Sequence, residues 1–437
     1  DVAPSRGLGD VYKRQGYDKR QRKIRWENAV LPYTPRWQGG CDMKIRGIRH
    51  RLTAVLTAGL LTVSAAVFPG RTSADGGDVL TALVGLFGAA GMYSGYLSAM
   101  LDAGNNALYQ EQTLYYDRKE NGISKNPFDK ELVDSIMTRL VTRGEYAMDI
   151  RSLPFRWQVN AGREFNAACF PTDHVTVNEG LIRGVNRNVD ELAAVLGHEM
   201  THGLKLHAAY TYARAAAQSF GINFISMATG AVRPDVAGVL ADYSVAKNVI
   251  LPVEYEADEG GFYLASSAGF NPGGGAAAMA RMWYLAEHPA DFDRSYGADA
   301  YDHPDTDKRE ARLAQLMTDY SAGHVTVRDR KEILIDGEPL LTATYSTTLY
   351  DDTPEQAYLI TGGLARAFHD FDTLEEWNFR PGENGRIEYL SEAREYEPLK
   401  AAVMTNHAAQ RLRDLVTAAY AKAVSYTHLR AHETELH

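Results

Sequence analysis

Three histidines and one glutamate lie close together in the stretch "LGHEMTHGLKLH", residues 196–207. His198 and His202 are four residues apart, so an α-helix would turn both imidazoles towards one point. Glu199 lies beside them, where it can reach a metal-bound water without being a ligand itself. This H-E-x-x-H spacing predicts a zinc site with Glu199 as the general base. The alternative is a solvated helix face that is merely rich in histidine.

A catalytic zinc ion needs a third protein ligand and an open fourth position. In the metzincin arrangement the third ligand would be a histidine at position 208, where this chain has Ala208. His207 would lie about 140° around a continued helix from His202, which predicts a surface position for it. The stretch "PVEYEADEGGFYLA" offers the gluzincin solution. Glu254 and Asp258 share a helix face, which predicts Glu254 as the third ligand and Asp258 as the residue that orients a ligand histidine.

Two helices must position these residues. The first is predicted to begin at Asn188, which forms a capping box with Glu191, and its apolar face carries Leu192, Val195 and Leu196. The second carries Glu254 and is predicted to end at Gly269. On the second helix Glu256 falls off the ligand face, so a solvated position is expected for it.

The surrounding segments show further periodic patterns. Residues 126–145 predict an amphipathic helix that Gly144 stops. Residues 154–182 alternate and are rich in β-branched and aromatic side chains, which predicts two strands joined by a turn. After Gly323 the character changes: strands joined at Asp336–Gly337, a helix start at Thr353-Pro354 and an amphipathic helix over residues 399–420 predict a small α+β C-terminal domain, residues 324–424.

Four stretches together resemble a known family. They are "NAACFPTDHVTVNEGLI", "VLGHEMTHGLKLH", "EYEADEGGFYLASSAGFNP" and "HPDTDKREARLAQL", in that order. They resemble the HtpX and CaaX-prenyl-protease family of zinc metallopeptidases over about residues 132–316. The resemblance implies a mainly helical zincin-type α+β domain over residues 126–323, with one Zn2+ per chain. It also implies a small sheet whose edge strand, near residues 166–177, pairs with a polypeptide substrate through Asn166 and Ala167.

The last of these stretches carries His303 and Arg309, which the resemblance places beside the metal cleft. Pro304 fixes the backbone after His303, and a helix is predicted to begin near Thr306. Two interpretations stay open. In the first, Arg309 makes salt bridges and His303 is a solvated loop residue. In the second, the segment serves the transition state, and His303 donates to the oxyanion or binds zinc as a fourth ligand.

Both ends of the chain call for separate treatment. Residues 7–15 and 425–437 resemble translated sequencing adaptors, so we expect residues 1–42 to be a non-native or untranslated leader and residues 425–437 to lie outside the native fold. From Met43 onwards, basic residues precede an uncharged run at residues 52–68. This pattern predicts a signal peptide over residues 43–74 and hence a periplasmic or secreted protein, with an uncleaved membrane anchor as the alternative.

Residues 75–125 are predicted to form an apolar helix and a connector. The uncharged run at residues 79–101 favours a buried or membrane-surface helix over a spanning one, so association with a membrane surface is expected through this run. The net charge of −10 argues against nucleic acid as a partner. The two cysteines, Cys41 and Cys169, permit at most one disulfide and no cysteine-type zinc cluster.

The sequence therefore predicts a secreted or periplasmic zinc endopeptidase that acts on unfolded or misassembled polypeptides. Within the family that it resembles, the signal peptide implies the soluble periplasmic, BepA-like branch. Two alternatives remain: an envelope assembly factor or chaperone whose proteolysis is silenced or regulated, and a membrane-anchored metalloprotease. The sequence leaves the oligomeric state open.

Overall fold

The structure, a computed structural model, describes residues 88–144, 154–214, 251–287, 306–343, 355–381, 387–389 and 408–434, without the single residues 96, 100, 103, 212 and 378. Contacts within the chain separate Asp1–Ala66 from Val67–His437, and every described residue belongs to the second unit. Three predicted features lie outside the described residues: His303, the signal peptide over residues 43–74, and residues 399–407 of the predicted C-terminal helix.

The described part of the chain is mainly helical and has small sheets, which confirms the predicted α+β class. Its named helices are α1 Ala107–Asn121, α2 Pro127–Arg143, α3 Glu179–Gly184, α4 Val189–Leu204, α5 Leu251–Ser267, α6 Gly274–Glu287, α7 Thr306–Tyr320, α8 Glu355–Asp370 and α9 Ala409–Thr434. Its strands are β1 Arg156–Asn160, β2 Ala167–Cys169, β3 His174–Asn178, β4 Val325–Arg328, β5 Glu332–Ile335, β6 Glu338–Thr342, β7 Phe379–Pro381 and β8 Ile387–Tyr389. Helix α9 includes most of the adaptor-like segment 425–437.

The first sheet has the order β1-β3-β2, with β1 parallel and β2 antiparallel to β3. The prediction of two strands over residues 154–182 was therefore wrong: three strands form, and residues 179–184 turn into α3. The alternation of apolar and polar residues shows which segments favour strands. It does not reveal that β1 pairs in parallel with β3, because β2 lies between them in the sequence. Because β3 is paired on both sides, the edge that was expected near residues 166–177 is offered by β2 alone.

Helix α4 lies at the centre of the main core. Its buried Leu192, Leu196 and Met200 pack with α2 side chains and with the β3 residues Val175 and Val177. Burial of this apolar stripe stabilises the fold by about 25 cal/mol per Å² of apolar surface taken from water. The core therefore holds α4 between the sheet and α2.

Helices α4 and α5 approach each other at glycine. A Cβ atom at Gly261 would lie 2.6 Å from the backbone nitrogen of His198, a distance that real Cβ atoms essentially never show. A Cβ atom at Gly197 would lie 3.0 Å from the carbonyl oxygen of Gly261. The two backbones can thus touch only because neither residue has a side chain. This contact brings Glu254, two turns before Gly261, up to the histidines of α4.

The C-terminal region builds its own core from β4–β6, α8, α9 and the buried Trp377. The predicted turn at Asp336–Gly337 is present, and both residues have positive φ angles, 51° and 81°. Another core joins α6, α7 and α8 through Leu313, Tyr358 and Leu359. Helix α8 therefore packs against the helices that follow the metal-binding region as well as against the C-terminal sheet.

Helix α1 buries polar side chains as well as the apolar Leu114. It buries Gln110 and Asp117, and Asp117 accepts hydrogen bonds from the side chains of Gln158 and Asn160 on β1. Its exposed residues include Leu108, Tyr109, Tyr115 and Tyr116. The helical residues before it, 88–102, contribute Leu97 to a small cluster with Ala209 and Ala213. Among the described residues, no helix combines the length and the apolar character needed to cross a membrane.

A buried ion-pair network ties α4 to α6 and α8. Arg281 Nε lies 2.7 Å from Glu191 Oε2, and Arg281 Nη2 lies 3.6 Å from Glu355 Oε1. The predicted capping box is accordingly only half formed. Asn188 accepts from the backbone nitrogens of Asp190 and Glu191, at 3.0 and 3.1 Å, while the carboxylate of Glu191 turns to Arg281.

This network predicts a pH-dependent stability. Burial raises the pKa of Glu191 from 4.5 to about 7, although Arg281 beside it lowers the pKa. Since the folded pKa exceeds the unfolded one, the contribution of Glu191 to stability is greatest below pH 4.5 and falls as the pH rises to about 7, by at most about 3 kcal/mol. Glu191→Gln should lack this decline. The difference in free energy of unfolding, variant minus wild type, should therefore increase from pH 4.5 to about 7. Denaturant unfolding at several pH values measures this, and parallel profiles of the two proteins would contradict it.

Candidate metal centre

Three side chains from α4 and α5 converge on one point. The Nε2 atoms of His198 and His202 lie 3.0 Å apart. Glu254 Oε2 lies 3.5 Å from His198 Nε2, and Glu254 Oε1 lies 3.4 Å from His202 Nε2. Within the described residues, these three form the group of histidine and acidic side chains that could hold a metal ion. They are the three residues that the sequence predicted as metal ligands.

The spacing of these atoms fits a zinc ion. Tetrahedral zinc with bonds of about 2.0–2.1 Å separates its ligand atoms by about 3.3–3.4 Å, close to the 3.0–3.5 Å found here. The charge also fits. Burial lowers the pKa of His198, but the carboxylates of Asp258 and Glu254 outweigh burial and raise it to about 10. The site therefore strongly favours positive charge on this imidazole, either a proton or a metal ion.

Asp258 supports His198 from behind. Its Oδ1 lies 3.0 Å from His198 Nδ1, so an N–H on Nδ1 can donate to the carboxylate and leave Nε2 facing the metal position. Arg309 holds both carboxylate oxygens at 2.7 Å. Burial raises the pKa of Asp258, but the bonds from Arg309 and His198 lower it to about 2. Asp258 therefore stays ionised and fixes the orientation of the ring.

Arg309 on α7 also reaches the third ligand, with Nη1 at 3.1 Å from Glu254 Oε2. Its buried guanidinium thus joins Glu254 and Asp258 and restrains both carboxylates. Of the two interpretations that the sequence left open, the structure shows the salt bridges for Arg309. Its partner in the second interpretation, His303, lies outside the described residues.

Glu199 lines an open cleft beside the three candidate metal ligands. This residue is only 5% exposed. Asn166 and Ala167 line the same cleft, together with apolar residues that include Phe165, Val195, Phe262, Met279, Met282 and Leu313. A carboxylate next to the metal-binding histidines and a largely apolar cleft can serve one reaction, with Glu199 handling protons and the cleft holding an apolar group.

In the edge strand β2, alternate residues direct their backbone groups away from β3. Asn178 N donates to Asn166 O at 3.0 Å, and Phe170 N donates to His174 O at 2.8 Å. In an antiparallel ladder, residues alternate between facing the partner strand and facing away from it. The N–H and C=O of Ala167 therefore point away from β3, at the rim of the cleft. An extended peptide laid beside β2 could form hydrogen bonds to both groups.

His207 contradicts its predicted surface position. It is only 4% exposed, and its Nδ1 lies 3.0 Å from Nδ1 of His202. The prediction failed because it continued the helix to residue 207, whereas α4 ends at Leu204 and Leu206 adopts a φ of +60°. Glu256 is 53% exposed on its side chain, as predicted, and lies 3.4 Å from His207 Nε2.

Comparison with known families supports the chemistry of this site. Residues 128–317 match the sequence profile of Peptidase family M48. The matched segment is less than half of the chain, and it contains the first sheet, the two helices that carry the candidate metal ligands, and Arg309. A search of the curated proteins gives no significant match. The family match indicates a metallopeptidase and supports the resemblance seen in the sequence at that level.

Proposed function

We propose that this protein is a zinc-dependent endopeptidase that hydrolyses peptide bonds of unfolded or misassembled polypeptides in the periplasm or outside the cell. One observation carries the proposal. His198, His202 and Glu254 converge with zinc spacing, and His198 lines a cleft that Glu199 also lines. The M48 match over the same segment supports peptide hydrolysis as the reaction.

The residues around the site have different roles in hydrolysis. Zinc held by His198, His202 and Glu254 would supply Lewis-acid polarisation of a water molecule and of the scissile carbonyl. Glu199 accepts a proton from the water as its oxygen attacks the carbonyl carbon, and it later delivers that proton to the amine as the C–N bond breaks. Asp258 and Arg309 keep the ligands oriented, so that little reorganisation accompanies the reaction.

The substrate is best bound as an extended strand. The outward N–H and C=O of Ala167 offer one donor and one acceptor to a peptide backbone, and the apolar cleft receives a neighbouring side chain. Backbone pairing does not depend on the substrate's sequence. It does require an extended segment, which most folded proteins do not expose. Unfolded or misassembled proteins are therefore the favoured substrates.

Ala167→Pro tests the strand-pairing model of binding. Proline removes the outward N–H but is tolerated on an edge strand. Losing a hydrogen bond of about 0.5–1.5 kcal/mol should lower kcat/KM for an unfolded substrate about 2- to 10-fold, with the zinc content unchanged. Ala167→Ser keeps the N–H and is the control. Wild-type kcat/KM in the proline variant would show that the substrate does not use this edge.

Cleavage of one protein in two states tests the substrate class. A protein such as α-lactalbumin should be cleaved by the zinc-loaded full chain when it is reduced and unfolded, and it should resist cleavage when native. Equal cleavage of both states would contradict the proposed preference. Binding of the unfolded state without cleavage would instead identify an assembly factor with silenced proteolysis.

The proposed location rests on the basic start at Met43 and the uncharged run at residues 52–68. Expressed in a Gram-negative host, the mature protein should begin between about Ala65 and Asp75, where small residues provide cleavage sites. Sequencing of the mature N-terminus checks this. A cytoplasmic product that still carries Met43 would overturn the proposed export.

A further inference from the structure

We infer that His207 is a positioning residue of the metal centre, which holds the imidazole of His202 in its metal-binding orientation. The inference rests on the proposed zinc function. His207 Nδ1 lies 3.0 Å from His202 Nδ1, and the two rings meet edge to face with their centroids 4.9 Å apart. His207 thus contacts His202 on the side of the ring opposite to the Nε2 atom that faces Glu254.

The hydrogen-bond chemistry of these rings has one consistent direction. Metal binding through Nε2 of His202 requires the tautomer that carries its proton on Nδ1, and this N–H then donates to Nδ1 of His207. A neutral His207 that accepts at Nδ1 carries its own proton on Nε2. That N–H points to Oε2 of Glu256, 3.4 Å away. The three side chains form a directed chain from the ligand to an exposed carboxylate.

The backbone is shaped to make this contact. Leu206 has a φ of +60°, in the left-handed region that costs a residue with a Cβ atom about 1–2 kcal/mol. The turn is closed by Leu206 N donating to Gly203 O at 3.0 Å, and Leu206 packs against the cluster of Leu97, Ala209 and Ala213. Without this turn His207 would point away from His202. Strain of this kind is retained where it places a functional group.

The two histidine ligands therefore receive different support. His198 is oriented by Asp258, a buried carboxylate held by Arg309. His202 is oriented by a buried imidazole that is linked to the exposed Glu256. His207 acts through His202 and touches neither the metal position nor the cleft lining around Glu199. Its loss should therefore weaken metal binding without removing a ligand.

Zinc affinity of the full chain, measured by competition with a chromophoric chelator, tests this role. His207→Phe fills the volume but cannot accept a hydrogen bond, so it should weaken zinc binding about 10- to 100-fold. His207→Gln retains an acceptor and should recover most of the affinity. His324→Ala, a histidine replacement in the C-terminal region, should bind zinc as wild type does. In cobalt-substituted protein, the visible absorption bands should shift for the Phe variant and return towards wild type for Gln.

The outcomes separate this inference from the proposed function. If wild type binds zinc and His207→Phe binds it equally tightly, with the same cobalt spectrum, His207 is only a packing residue. If Phe and Gln weaken binding equally, the hydrogen bond is not the cause, and the inference also fails. If wild type itself binds no zinc, the proposed function falls and the role of His207 falls with it.

Discussion

Glu199→Gln is expected to retain one zinc ion per chain and to lose peptide hydrolysis by about 10²- to 10⁴-fold in kcat, the range that general acid–base catalysis contributes. Glutamine keeps the shape of the side chain in the cleft but cannot accept the proton of the attacking water. Metal analysis and initial rates on an unfolded substrate measure the two quantities on the same preparation.

A matched substitution controls for the loss of one carboxylate. Glu259 lies on α5 near the site, is partly exposed and pairs with Arg312 at 3.0 Å. Glu259→Gln should keep the wild-type rate because this carboxylate faces Arg312 and not the cleft. If Glu199→Gln turned over substrate at the rate of Glu259→Gln, Glu199 could not be the general base.

Glu254→Ala is expected to lose zinc while the fold persists. Structural zinc sites contribute about 10–16 kcal/mol, so removing one of three protein ligands should cost about 3–5 kcal/mol, or about 10²- to 10⁴-fold in Kd. The fold should survive because Asp258 still pairs with Arg309 at 2.7 Å and the α4–α5 contact at Gly261 is untouched.

Zinc content after dialysis, together with circular dichroism, measures both parts of this expectation. Removal of the ligand should also abolish hydrolysis, because the chain then holds no metal to polarise the carbonyl. A folded Glu254→Ala protein with full zinc occupancy would show that Glu254 is not a ligand.

The local parts of the site were predictable from the sequence. His198 and His202 are four residues apart, and so are Glu254 and Asp258. On a helix this spacing places both members of each pair on one face. The residue types then restrict the chemistry, since imidazole and carboxylate are the ligands of zinc. The turn at Asp336–Gly337 was predictable for a similar reason, because these residues tolerate the positive φ angles that the turn requires.

The parts that depend on the path of the chain in space could not be predicted. Arg309 meets Asp258 across 51 positions of sequence, and no local pattern reports that contact. His207 was misplaced because one residue, Leu206, leaves the helical conformation. Glu191 was predicted as a cap residue, but it pairs with Arg281 from α6. For Glu191, a tertiary contact outweighed the local preference.

Titration of zinc into metal-free protein, with the cleavage rate of an unfolded protein followed throughout, tests the central claim most directly. We predict that metal-free protein is inactive, and that the rate rises in proportion to added zinc and levels off at one equivalent per chain, the capacity of the group formed by His198, His202 and Glu254. Full cleavage by metal-free protein, or full zinc loading without any cleavage, would contradict a single-zinc endopeptidase.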